Sequence, residues 1–99
     1  MISRIFKLRV RPEQKQAFEK DFQDISLPYV RKQSGLMGMT VGNPTKWEPN
    51  DYLLITNWED EQALIKFAGE KWNEAVIPAG MEKYIFQCSV DHYDVIEQS

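Results

Sequence analysis

The stretch Tyr52–Trp58, YLLITNW, is apolar on both of its alternating faces, with Tyr52, Leu54, Thr56 and Trp58 on one and Leu53 and Ile55 on the other. A strand of this kind is central in a sheet or covered on both sides, because a half-exposed strand alternates apolar with polar. The rest of the chain must supply its neighbours and its cover. Ile2–Arg11 offers one neighbour: Ile2, Arg4, Phe6, Leu8 and Val10 alternate with Ser3, Ile5, Lys7, Arg9 and Arg11, the period of a strand with one mostly buried face. Leu36–Gly42, LMGMTVG, offers another, predicted to place Met37, Met39 and Val41 on one face and Gly38 and Gly42 on the other. The turn-rich Asn43–Asp51 makes it a hairpin partner of Tyr52–Trp58. A last strand is predicted from about Ile85 to Ile96.

Cover comes from two helical patterns. Pro12 suits a first helical turn, and Phe18, Phe22, Ile25 and Tyr29 follow at steps of four, three and four, so one long helix is predicted through about Gln33, kinked at Pro28 and ended by Gly35. Asp60 caps a second helix with Ala63, Leu64 and Phe67 buried and Gly69 as the break. Glu70–Tyr84 is irregular, with helical turns predicted around Trp72 and after Pro78. The order strand, helix, strand, strand, helix, strand is the split βαβ arrangement of an α+β, ferredoxin-like βαββαβ fold with an antiparallel four-stranded sheet. A length of 99 residues suits one domain, residues 1–99, with one core. The sheet face away from the helices is predicted to carry Ile5, Met37, Met39, Val41, Leu53 and Ile55, apolar surface that a second copy of the chain would cover. The last strand, apolar on both sides in its second half, is predicted to reach onto that partner.

A net charge of -3 argues against nucleic acid as a partner, and Arg4, Lys7, Arg9 and Arg11 read as the solvated side of a strand. Cys88 is the single cysteine, which excludes an internal disulfide and a multi-cysteine metal site and fits the cytoplasm. The opening MISRIFKLRV has no signal-peptide core, and no stretch is long enough to span a membrane, so no membrane partner is expected. Phosphate loops, nucleophile elbows and metal-ligand spacings are absent, and Glu59, Asp60 and Glu61 are explained by helix capping.

Taken together, RIFKLRVRPEQKQAFEKDF, QSGLMGMTV, LLITNWEDEQALIKFAG and VDHYDV, in that order across nearly the whole chain, resemble the antibiotic biosynthesis monooxygenase family of dimeric α/β barrels. The resemblance implies a homodimer, joined through sheet faces and the C-terminal strand, that oxidises a small aromatic or quinol-like substrate with O2 and no cofactor. Haem-degrading relatives are similar at Trp58, but they use an Asn on the first strand where Phe6 stands here, and a His after the second helix, where WNEAVIPAG has none. Haem is therefore not expected.

Such oxidation needs flat apolar walls and a polar group to take or orient a phenolic proton. Phe6, Trp58, Phe67, Trp72 and Met81 are the candidate walls, and Thr56, Asn57, Tyr84, His92 and Tyr93 the candidate polar groups, with Asn57 pointing to the opposite face. Thr56 and Tyr84 join the walls as substrate-binding residues, and Trp58 and His92 are the catalytic candidates. His92 is the only histidine and the only side chain that titrates near neutrality when unperturbed. Each has a plainer reading: aromatic residues at these spacings are core, and His92 on a closing strand is a hydrogen-bonded interface or cavity-edge residue. A non-catalytic dimer that binds a small hydrophobic ligand would carry the same pattern.

Overall fold

A computed structural model describes residues 1–99. Four strands, β1 (Ile2–Val10), β2 (Leu36–Gly42), β3 (Asp51–Trp58) and β4 (Ile85–Asp94), form one antiparallel sheet in the order β2-β3-β1-β4. The two-faced strand is central, as its composition requires. Tyr52, Leu54, Thr56 and Trp58 are buried and the intervening residues only partly so, which identifies the side on which the helices pack.

The first helical run departs from one kinked α-helix. Pro12–Gln14 is a 3-10 turn, α1 spans Lys15–Asp21, a π turn occupies Phe22–Ser26, and α2 spans Leu27–Arg31. The Leu27 N–H reaches back to the Phe22 carbonyl, one residue further than in an α-helix. Pro28 has no N–H to offer the preceding turn, so the distortion lies just ahead of the proline rather than at it. α3 spans Glu61–Ala68, and the Asp60 carboxylate accepts from the Ala63 N–H at 2.9 Å, a side-chain cap. Trp72 stands in a single turn closed by Glu74 N–H to Lys71 carbonyl at 3.0 Å, not in the predicted helical turns, whereas Glu82–Tyr84 is a 3-10 turn.

The main core joins Leu8, Val10, Tyr52 and Leu54 of the sheet to Phe18, Phe22, Leu27 and Val30 of the helices, with Met81 and Tyr84. Trp58, Ala63 and Leu64 form a second cluster under α3. Tyr52 and Tyr84 are buried with their hydroxyls on the Glu19 and Asp21 carboxylates, each at 2.5 Å. Those bonds account for both phenols structurally and hold them protonated, since burial and the Glu19 carboxylate raise Tyr52 and the Asp21 carboxylate raises Tyr84.

Two sequence readings of β2 change. Met39 and Val41 lie opposite Thr56 and Leu54, on the helix side rather than the open face, and Met37 sits in a bulge between Leu36 and Gly38. The open face therefore carries Ile5 directly opposite Ile55, with Leu53 beside them. Gly35, at φ +84, brings the chain against α3 so closely that a Cβ there would stand 2.4 Å from the Ala63 Cβ. Gly35→Ala is expected to cost about 2 kcal/mol or more, the sum of a positive φ and an overpacked contact. Urea denaturation measures it.

Candidate functional site

Arg4 occupies the apolar register of β1, between Ile2 and Phe6, and is only 3 % exposed. It is not part of a solvated basic face with Lys7, Arg9 and Arg11, because the strand's alternation turns it inward while those three stay exposed. Thr56 of β3 and His92 of β4 flank it in the sheet register. Its Nη1 donates to the Trp72 carbonyl at 2.6 Å and to His92 Nε2 at 2.8 Å, and its Nη2 donates to the Glu74 carbonyl at 3.0 Å. The guanidinium also lies over the Phe67 ring at 5.8 Å. The ion pairs of the chain are Arg9–Asp51 and Lys20–Asp24, so Arg4 is a buried cation without a carboxylate partner. Burial alone lowers its pKa to about 10, which leaves it charged at neutral pH.

Arg4 fixes the state of His92. A guanidinium only donates, so Nε2 must accept and the ring carries its proton on Nδ1. Burial first, and the Arg4 charge second, hold the imidazole below its ordinary 6.5. The Trp72 indole meets the same ring edge-on at 4.7 Å. Above about 6.5 the imidazole is neutral in both folded and unfolded chains. As pH falls through that value the unfolded chain takes up the proton first, so stability falls. His92→Gln, which keeps an acceptor for Arg4, is expected to flatten this slope below 6.5 in urea midpoints measured across pH.

Beside Arg4, between sheet and helices, is a cavity of about 40 Å³. Phe6, Leu54 and Thr56 line it from the sheet, Phe22, Ser26, Tyr29 and Val30 from the distorted helical run, and Phe67 from α3. Val76 and Pro78 close it from the loop after α3. The π turn begins at Phe22 and ends at Ser26, so it presents both to the cavity. The structure thus brings Phe6, Thr56 and Phe67 together on one wall. Trp58 is fully buried behind that wall, stacked on Phe67 at 4.9 Å, with its Nε1 donating to Thr56 Oγ1 at 2.9 Å. Met81 borders a smaller adjoining void, while Tyr84 lies in the core against Phe18. Tyr93 is exposed, opposite Ser3 on the open face. Trp72 and His92 stand at the edge, tied to the cavity through Arg4.

Arg4 is the residue that the sequence reading missed. Its signal was a charge in the register of Ile2, Phe6, Leu8 and Val10, where a charged side chain is the informative exception.

Comparison with known proteins converges on one fold. The family model described as antibiotic biosynthesis monooxygenase matches residues 1–71. Among solved structures, the haem degrader MhuD from Mycobacterium tuberculosis, with two haems bound in its active site, is 19 % identical with a TM-score of 0.73 over 100 % of this chain and 99 % of its own. An antibiotic biosynthesis monooxygenase candidate from Caulobacter crescentus is 20 % identical with a TM-score of 0.74, covering 97 % and 90 %. A second candidate, from Nitrosomonas europaea, is 12 % identical with a TM-score of 0.74, covering 98 % and 100 %. At these identities the likeness is one of fold. No curated protein matches the sequence, and no helix of the structure is long and apolar enough to cross a membrane.

Proposed function

The chain belongs to the antibiotic biosynthesis monooxygenase family, and from that membership we propose that it oxidises a small aromatic, quinol-like substrate with molecular oxygen and no cofactor. The observation that carries the proposal is the cavity itself. Four aromatic residues, Phe6, Phe22, Tyr29 and Phe67, line it, and Arg4 is its one charged group. Flat apolar walls hold a ring and exclude water, and a fixed cation favours the anion of a phenol over the phenol. As the Arg4 guanidinium turns from His92 Nε2 to the phenolic oxygen, the freed Nε2 takes the phenolic proton. The ring anion then gives electrons to oxygen. At a ring methylene, one oxygen atom enters as a carbonyl and the other leaves as water with the two hydrogens that carbon carried. Trp58 acts by position, holding Phe67 and Thr56 in place.

Haem does not fit these residues. The only imidazole stands against the buried Arg4 cation, whose charge opposes a ferric ion there, and the Trp72–Pro78 segment offers no histidine. Incubation of an anthrone with isotopically labelled oxygen tests the proposal: one labelled atom is expected in the new carbonyl, at a rate above autoxidation. Tight binding of the aromatic compound without labelled product would instead mean a non-catalytic ligand-binding protein.

Proteins of this family are commonly dimers, and the proposed homodimer uses the open sheet face and the C-terminal strand. Ile5, Leu53 and Ile55 are its apolar centre. Ile55→Asp is expected to convert the dimer to a monomer in sedimentation equilibrium, because it buries a charge in the joined faces. An unchanged dimer would place the interface elsewhere.

A further inference from the structure

We propose that the Arg4 cavity is a receptor for an aromatic anion: a ring bearing a carboxylate or a phenolate oxygen docks that group on the Arg4 guanidinium in place of the loop carbonyls it now holds. This rests on the aromatic-substrate reading above and narrows it to a charged class.

The charge of Arg4 is unbalanced. Buried guanidinium groups are ordinarily paired, since the cost of taking the ion out of water is recovered only from an opposite charge and full hydrogen bonding. Arg4 has three acceptors, all neutral: two backbone carbonyls and an imidazole. A guanidinium has five N–H bonds. Three are used, which leaves two, on Nε and Nη2, without an acceptor. Nothing acidic lines the cavity, so Arg4 is the one charge on its walls. Thr56 adds a donor, because its Oγ1 accepts from Trp58 and its own hydrogen is free. Donors, a cation and aromatic walls without one carboxylate make a site built for a flat anion.

A space of about 40 Å³ holds a few waters at most, so a ring needs the roof to move. That roof is the loop between Gly69 and Gly80, which carries Val76 and Pro78. Both glycines have positive φ, +86 and +93, and have open space where a Cβ would stand. Arg4 ties the loop down through the Trp72 and Glu74 carbonyls. A carboxylate or phenolate oxygen is a stronger acceptor than a carbonyl for a charged donor. An anion therefore competes for the latch and releases the roof in one exchange.

Calorimetric titration of the intact protein with two matched pairs, 1-naphthoate against 1-naphthamide and 4-nitrophenolate against 4-nitroanisole, tests the proposal. At least one anion is expected to bind about tenfold tighter than its neutral counterpart, and the stronger pair identifies the acidic group. Arg4→Gln is expected to abolish that preference, so that each anion and its neutral counterpart bind alike. Equal binding within both pairs in the wild-type protein overturns the proposal whether or not Arg4→Gln folds, and so does a preference that survives Arg4→Gln. Binding is read without oxygen chemistry, so an anion preference without turnover supports this inference and removes only the catalytic one. Turnover of uncharged quinols with no anion preference overturns this inference and leaves the catalytic one standing.

Discussion

Trp58→Ala is expected to remove about 3–5 kcal/mol of folding stability, the range for truncating a large buried aromatic residue. The side chain is fully buried, packs with Ala63 and Leu64, and stacks on Phe67 at 4.9 Å. Its loss empties the space under α3 and frees Thr56 Oγ1, which accepts the indole N–H at 2.9 Å. For a chain of this length the expected fall in Tm is about 15 °C or more. Trp58→Phe keeps the stacking and loses the hydrogen bond, so it is expected to cost about 1–2 kcal/mol. Both values come from urea denaturation. A loss below about 1 kcal/mol for Trp58→Ala would mean that the second core cluster does not hold the cavity wall.

Arg4→Met is expected to show the opposite signature: stability within about 1 kcal/mol of wild type, and oxidation slower by about 100-fold. Removing a buried cation relieves its desolvation, which offsets the loss of donors to the Trp72 and Glu74 carbonyls and His92 Nε2. Methionine fills much of the same volume. Catalysis has no such offset, because removing one preorganised group that stabilises a developing anion costs about 10²-fold or more. Arg4→Lys keeps the charge without the planar fork and is expected to fall between the two. Steady-state oxidation rates beside urea midpoints separate this result from simple unfolding.

Much of the fold was legible because local rules agreed. The double-faced composition of Tyr52–Trp58 puts it centrally, Asp60 caps α3, and the element order gives the sheet order. The assignment of faces in β2 was not legible. Alternation separates two faces but does not say which one meets the helices; only pairing does, and Met39 and Val41 pair with Thr56 and Leu54. Pro28 announced a distortion, yet its form, a π turn that brings Ser26 to the cavity, depends on packing beyond the sequence pattern.

The site divides in the same way. Phe6, Thr56 and Phe67 share a wall because they alternate on strands or follow a helical stripe that faces it. Met81 and Tyr84 lie beyond the Val76–Pro78 roof, where Phe18 draws Tyr84 into the core at 5.8 Å between ring centroids. His92 was visible as the one histidine of the chain. Its partner was not, because a hydrogen bond between residues 88 positions apart is a product of the sheet register.

In the proposed reaction, the cavity beside Arg4 is where an aromatic substrate meets oxygen. Oxygen uptake measured with an electrode on anthrone and naphthoquinol substrates, for wild type and Arg4→Met side by side, tests it most directly. Uptake clearly above autoxidation is expected in the wild type, and about 100-fold slower uptake in the folded variant. Uptake at the autoxidation rate in both, or equal enzymatic rates in both, would contradict it.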